Sequence, residues 1–169
     1  MRKLLLLSVI GGMMISTSCK KDDESKIEGE WEVQSYEEKS EPQNPDSNST
    51  FTSYSYAMTD GALILNFKSN PDRVSSTGSM MVEFEHHVVV NGDTVSSTSG
   101  TVQHETMFDQ EINWNISSDG TIQLGSGENV ITANYTLSGD NLRIWFDVSA
   151  TNEGLTMLSS MDISLRRSK

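Results

Sequence analysis

The chain of 169 residues carries 24 acidic and 12 basic side chains, which gives a formal net charge of −12 and a sequence pI near 4.5. Domains are typically about 100 to 200 residues long, and a hydrophobic content of 35% is enough to form a core, so we expect one folded domain. Nucleic-acid binding requires Lys and Arg side chains to neutralise phosphates. The body of this chain has no basic stretch, which excludes nucleic acid as a partner.

Residues 1–18 have the layout of a secretory signal peptide. Arg2 and Lys3 precede an apolar run over residues 4–15, and small polar residues follow as far as Ser18. The apolar run is shorter than the roughly 20 residues that a transmembrane helix needs. We therefore expect this segment to be cleaved.

Cys19 follows directly and is the only cysteine of the sequence, so it has no partner for an intramolecular disulfide. Residues 15–19 resemble the lipobox of bacterial lipoproteins, although Ser18 stands where Gly or Ala is more usual. The resemblance implies that Cys19 is lipidated and anchors the protein to the membrane. The alternative is an unmodified thiol behind an ordinary signal peptide. The acidic body lacks the basic patch that assists weak anchors, so acyl chains must supply the attachment.

The five residues after Cys19 are all charged. They are Lys20, Lys21, Asp22, Asp23 and Glu24. A charged run of this kind is typical of a solvated tether, and we expect residues 19–26 to hold the domain away from the membrane. The run also resembles the export signal that sends Bacteroidota-type lipoproteins to the outer face of the outer membrane. That resemblance implies a lipid-anchored outer-membrane protein facing the cell exterior, with the periplasmic face as the alternative.

Residues 27–169 show hydrophobic alternation with a period of two. The alternating segments begin near Trp31, Leu63, Val82, Ile112, Leu142 and Met161. Turn sequences separate them, of which Asn91-Gly92 predicts a tight hairpin, and residues 118–121 and 138–141 predict two more. Short connections join neighbouring antiparallel strands, so we expect an up-and-down meander from about residue 80 onward. Residues 37–50 are polar and contain two prolines, which predicts a long loop that acts as a lid or insertion.

The first predicted strand begins with Gly29 and Trp31 in a Gly-any-Trp pattern. This pattern and the meander that follows resemble the lipocalin-like domains of bacterial lipoproteins, and residues 135–144 resemble their penultimate hairpin. The resemblance covers most of residues 27–169. It implies an all-β fold, an antiparallel up-and-down meander that closes into a lipocalin-like (calycin-type) barrel of about eight strands.

In lipocalins the motif tryptophan closes the bottom of the barrel beneath a basic side chain near the last strand. The matching residues here are Trp31 and, by the alternation of the last predicted strand, Arg167. A cation over an indole face contributes about 0.5 to 2 kcal/mol, so this implied role is structural. The family usually has a helix after the barrel, and the sequence given ends at Lys169, so the resemblance is to the reduced bacterial form.

The sequence has no pattern for covalent catalysis, no phosphate-binding loop and no cofactor motif, so we expect a protein that is not an enzyme. His86 and His87 are adjacent and face opposite ways on a strand, and His104 lies about 20 Å from His86 along the predicted hairpin. A shared metal site is therefore not expected. We expect His86 to be partly buried, and His87 and His104 to be exposed.

Residues 74–142 contain no Lys or Arg but contain nine acidic residues. One interpretation is a binding patch for calcium or a basic partner, and the favoured one is a solvated acidic surface. Residues 93–95 resemble the Asp-Ser/Thr-aliphatic acceptor of O-linked glycans in this bacterial group. This resemblance makes Thr94 a candidate glycosylation site at a hairpin tip.

Three functional hypotheses remain open from the sequence. In the first, the barrel binds a small apolar or amphipathic ligand, with methionines such as Met107 and Met161 forming adaptable walls. In the second, the barrel is filled and the protein is a scaffold or adhesin that contacts envelope proteins, glycans or host molecules, which an exposed cluster of Phe51, Tyr54 and Tyr56 would support. The third, a hydrolase or isomerase using carboxylates in the barrel mouth, is the least favoured.

Overall fold

A computed structural model describes residues 20–43, 45, 50–117, 119–127, 129–152 and 155–169. Cys19, the predicted signal peptide and part of the polar stretch before Thr50 lie outside the described residues. The elements in chain order are α1 (Lys20–Ile27), β1 (Gly29–Pro42), β2 (Thr50–Lys68), β3 (Arg73–Val90), β4 (Asp93–His104), β5 (Ile112–Ile116), β6 (Ile122–Ser126), β7 (Asn129–Ser138), β8 (Asn141–Asn152) and β9 (Leu155–Arg167).

Eight antiparallel strands form a closed barrel in the order β2-β1-β9-β8-β7-β6-β5-β3, and β3 pairs with β2 to complete the ring. β4 is a ninth strand, and it pairs with residues 80–90 of β3. β5 pairs with the same edge of β3 at Arg73 and Val74, near the start of that strand. The predicted all-β class and the eight-stranded meander barrel are confirmed. The insertion of β4 between β3 and β5 is the one departure from a simple meander.

The predicted turns have the backbone geometry that their residues favour. Asn91 and Gly92 have φ values of 52° and 82°, and they connect Val90 of β3 to its partner Asp93 of β4. Two consecutive positive φ values are typical of the tight hairpin turn that an Asn-Gly pair adopts readily. The predicted hairpin is confirmed.

The lower half of the barrel, which contains the start of β1 and all of β5 and β6, is filled by side chains. Period-two alternation points one side of each strand inward, and these residues have lost nearly all of their solvent-accessible surface. The largest of them are Trp31, Leu63, Phe67, Trp114, Ile116, Ile122, Leu142, Ile144, Ile163 and Leu165. The ring of Phe67 meets that of Trp114 edge-to-face at 5.2 Å, as aromatic rings prefer in a packed core.

The upper half is built by strands that continue beyond this core. It comprises residues 37–42 of β1, 50–58 of β2, 80–90 of β3, 93–104 of β4, 146–152 of β8 and 155–161 of β9. Within the described residues, no pairing joins β4 to the upper part of β8. The upper half is therefore a curved sheet with a gap on one side, standing on a closed and filled lower half.

The predicted tether is wrong for residues 20–26, because these residues form α1 and the helix packs against the barrel. Ile27 at its end is completely buried, and its carbonyl accepts a hydrogen bond from Trp31 Nε1 at 2.6 Å. Burial of the Ile27 side chain favours docking of the helix, and the hydrogen bond from Trp31 satisfies the buried indole N–H. The barrel domain therefore begins with α1.

The predicted long loop over residues 37–50 is also wrong in its first part, since β1 continues to Pro42. Residues 37–42 pair with β9 on one side, and residues 37–40 pair with β2 on the other. Polar residues are accommodated because Glu37, Lys39 and Glu41 point to solvent, while Glu38 and Ser40 point inward. Positions 44 and 46–49 lie outside the described residues.

Candidate ligand-binding site

Gly29, Trp31 and Arg167, the residues of the implied barrel-closing motif, lie together at the bottom of the barrel. The Arg167 guanidinium carbon is 4.3 Å from the centroid of the Trp31 ring, and Arg167 Nη1 donates to the Glu28 carbonyl at 2.9 Å. Gly29 has a φ of 124°, and a Cβ atom at this position would lie 2.8 Å from Arg167 Nη1. The Gly-any-Trp pattern thus makes room for the guanidinium above the indole.

The residues of the implied export signal lie in α1. The Asp23 carboxylate accepts a hydrogen bond from the Tyr135 hydroxyl of β7 at 3.0 Å. Burial of the phenol and this hydrogen bond raise the pKa of Tyr135 to about 12. Asp23 is therefore held against the underside of the barrel, where Arg167 also donates to the Lys26 carbonyl.

Other predicted sites lie apart from one another. Thr94 is exposed at the second position of β4, opposite Val89. His104 is half-buried instead of exposed, because its ring lies 6.2 Å from that of Tyr56. In the acidic region, Lys68 Nζ lies 2.7 Å from Glu111 Oε1. The hydrogen bond and the positive charge of Lys68 lower the pKa of the Glu111 carboxyl. Among the described residues, no group of three or more His, Cys, Asp or Glu side chains is placed to hold a metal ion.

The inner face of the upper half carries a cluster of aromatic and polar side chains that we call the inner cluster: Tyr36, Glu38, Tyr54, Tyr56, Phe84, His86 and His104. Cross-strand partners share a face of the sheet, and the pairs Glu38–Tyr56, Tyr56–Phe84 and Tyr54–His86 run across β1, β2 and β3. Tyr54 and Tyr56 therefore point into the barrel and are half-buried, and they do not form the exposed aromatic cluster that would support a scaffold.

Glu38 is the acidic residue of the inner cluster and is half-buried. Each of its carboxylate oxygens accepts one tyrosine hydroxyl, Tyr36 on Oε2 and Tyr54 on Oε1, the latter at 3.2 Å. Burial raises the pKa of Tyr36 above its ordinary value, and the bond to Glu38 adds to this effect. Burial and the charge of Glu38 likewise raise the pKa of Tyr54. These two phenols thus stay protonated and act as hydrogen-bond donors at neutral pH.

Tyr56 lies at the centre of the inner cluster. Its hydroxyl is 2.7 Å from His86 Nε2, and its ring is 5.5 Å from Tyr54 and 6.3 Å from Phe84. The edge-to-face contact with Tyr54 is the arrangement that aromatic quadrupoles favour. The result is a continuous aromatic wall with Glu38 beside it.

Apolar residues at the gap in the upper half remain accessible to solvent. Val102 on β4 is 39% exposed although it lies opposite Val82, which is completely buried. Val148 on β8 is 56% exposed, and it lies opposite Ser159 of β9, which is half-buried. Their partners show that these side chains belong to the inner face. An inner face that is both apolar and accessible is typical of a ligand site.

Two clefts elsewhere contain basic side chains that are already paired. A cavity of about 250 Å³ on the outer face contains Arg143, Trp145 and Asp162. Arg143 makes a bidentate ion pair with Asp162 and lies 5.0 Å from the Trp145 ring centroid. A cavity of about 490 Å³ beside α1 contains Tyr135 and Arg167, both bonded to α1.

The sequence analysis does not identify Glu38 as a site residue because it predicts a loop over residues 37–50, and it does not single out Tyr36. Their signal was the continued alternation of Tyr36, Glu38 and Ser40 with the charged residues between them. None of the helical segments in the described part of the chain has the length and apolar character needed to cross a membrane. Comparison with family models, with curated proteins and with solved structures finds no match to this chain.

Proposed function

We propose that this protein binds a small amphipathic ligand in the upper half of its lipocalin-like barrel and is not an enzyme. In this proposal it is anchored by lipid to the outer membrane and faces the cell exterior. The observation that carries this proposal is the contrast between the two halves. Large inward-facing residues of the lower half such as Trp31, Trp114 and Ile144 are almost completely buried, whereas Val102 and Val148 of the upper half face inward and remain 39% and 56% exposed. The accessible apolar surface is where a ligand gains burial.

The geometry of α1 supports an orientation for this site. β1 runs from Gly29 at the bottom to Pro42 in the upper half, and α1 immediately precedes it. An eight-residue helix is about 12 Å long, so Lys20, where the described chain begins, lies within about 12 Å of the bottom of the barrel. The gap in the upper half then faces away from the membrane, where a ligand from the surroundings can enter.

The test is native mass spectrometry of the full chain purified from its own host. We expect a small-molecule adduct at a stoichiometry of about one that is lost on denaturation, as a single site in one barrel requires. A Val102→Asn variant places an amide on the proposed apolar surface and should lose most of the adduct. The matched control is Val95→Asn, also on β4, where the native side chain is 60% exposed.

Two results would contradict the proposal. One is an apo mass for the native chain together with no binding of an apolar probe such as phenylnaphthylamine. The other is equal loss of the adduct in the Val95 and Val102 variants, because that would show a general effect of an amide on β4.

A second candidate function is a scaffold, and the free edge of β4 favours it. Nearly all side chains of β4 are exposed, and the strand pairs with β3 alone among the described residues. An unpaired strand edge presents N–H and C=O groups on which an extended segment of an envelope or host protein can add. An apo mass in the experiment above would make this function the better one.

A further inference from the structure

The charge environment of the inner cluster distinguishes cationic from anionic and neutral ligands. In the strand segments of the upper half, Lys39 is the only Lys or Arg, and it points to solvent between the inward-facing Glu38 and Ser40. Among the described residues, no basic side chain lies within ion-pair distance of Glu38. The inner face thus presents a carboxylate without a cationic partner.

The carboxylate of Glu38 keeps unused acceptor capacity. Each oxygen can accept two hydrogen bonds, and the structure gives each oxygen one tyrosine donor. Tyr36 and Tyr54 fix the orientation of the carboxylate, because one lies on the same strand and the other on β2. A half-buried carboxylate held in this way is prepared for a further N–H donor, and a charged donor forms the stronger bond.

The rings of the inner cluster add a second attraction for a cation. The ring centroids of Tyr54 and Tyr56 are 5.5 Å apart, and the ring centroid of Phe84 is 6.3 Å from that of Tyr56. The negative faces of aromatic rings attract an ammonium group, most strongly where water is displaced. The net charge of −12 also raises the local concentration of cations around the protein.

We propose that the ligand is an amphipathic amine, whose ammonium group binds the Glu38 carboxylate beside Tyr54 and Tyr56. Its apolar tail extends along the inner face toward Val102 and Val148 at the gap. This inference rests on the proposed function, since it names the chemical class of the ligand that the upper half binds. An anionic ligand at the same place would meet an uncompensated carboxylate, which disfavours it.

The test compares three probes that share one tail, octylamine, octanol and octanoate, by calorimetric titration of the purified full chain. We expect octylamine to bind about tenfold more tightly than octanol, because an ion pair and a cation–π contact are added to the same apolar burial. Octanoate should bind more weakly than octanol. The preference for octylamine should decrease as salt is added, because part of it is electrostatic attraction.

Two variants on β1 locate the preference. Glu38→Gln keeps the shape of the side chain and should bring the affinities for octylamine and octanol to within about twofold of each other. Glu37→Gln removes the same charge from the adjacent, outward-facing residue and should keep the preference. The salt series on the native chain provides a readout that does not depend on the folding of any variant.

The outcomes separate this inference from the proposed function. Three results overturn the inference of a cationic head group while the carrier function stands. The native chain could bind octylamine and octanol equally, or it could bind octanoate more tightly than either. Alternatively, Glu37→Gln could remove the preference for octylamine as fully as Glu38→Gln does. Absence of binding by all three probes overturns both proposals.

Discussion

Arg167 connects three parts of the molecule at the residue scale. Its guanidinium covers Trp31 and donates to the carbonyls of Lys26 and Glu28 at the end of α1. We expect Arg167→Ala to lower the free energy of unfolding by about 2 to 3 kcal/mol, from one cation–π contact and two hydrogen bonds to a charged group. Urea denaturation followed by tryptophan fluorescence measures this change.

Arg166→Ala is the matched control, since Arg166 is exposed on the same strand. Substitution of an exposed residue away from special contacts changes stability by about 0.5 kcal/mol or less. Equal effects of the two substitutions would show that the contact of Arg167 with Trp31 and α1 contributes nothing particular to stability.

Tyr135 makes stability depend on pH in the alkaline range. Its pKa is raised from 10.0 to about 12 in the folded protein by burial and by the hydrogen bond to Asp23. As pH rises above 10, the unfolded chain loses this proton while the folded chain retains it, so the stabilisation present below pH 10 is lost progressively up to about pH 12. We therefore expect stability to decrease with rising pH over this interval.

Tyr135→Phe removes the titrating group and should make this decrease shallower. Tyr36 and Tyr54 also have raised pKa values, so a smaller decrease remains in the variant. The measurement is the free energy of unfolding in urea at several pH values from neutral to alkaline. Native and variant chains with identical pH profiles would contradict the role assigned to the bond between Tyr135 and Asp23.

Two elements modify the simple barrel, and they differ in how firmly they are held. α1 is fixed by the buried Ile27 and by bonds from Trp31, Tyr135 and Arg167. β4 has a single neighbour, β3, and nearly all of its side chains are exposed. The bottom of the barrel is therefore closed by several independent contacts, whereas the edge formed by β4 depends on one strand pairing.

Hydrogen exchange tests this difference between strands. We expect the backbone amides of β4 to exchange faster than those of β9, which is paired with β1 and β8 on its two sides. Both strands belong to the same chain, so β9 serves as the internal reference. Protection of β4 equal to that of β9 would mean that its free edge is covered by another protein or another copy of the chain.

At the scale of the whole molecule, the two ends of the barrel have different compositions. The bottom combines α1, Trp31 and Arg167, and its polar groups are bonded to one another. The upper half combines apolar residues at the gap with the carboxylate of Glu38, and its strand segments contain a single Lys or Arg. Support of the fold and the proposed binding site are therefore separated along the barrel axis.

The strand class and the Asn91-Gly92 hairpin turn are predictable from the residues alone, whereas the eight-stranded barrel was implied by the family resemblance and its closure is a property of the tertiary structure. The first two properties depend on local patterns, because alternation defines the buried side of a strand and Asn91-Gly92 defines a tight turn without any distant contact. The implied motif of Gly29, Trp31 and Arg167 named residues that the structure places in contact at the bottom of the barrel.

The positions of the polar segments 20–26 and 37–42 depend on tertiary contacts. Residues 20–26 are charged enough to stay solvated alone, and they form a docked helix because Ile27 finds a buried position beneath the barrel. Residues 37–42 lack apolar alternation, and they form a strand because β9 and β2 supply hydrogen-bonding partners on both sides. The contact of Glu38 with Tyr54 requires two strands in one register, and that register is set by the closure of the barrel.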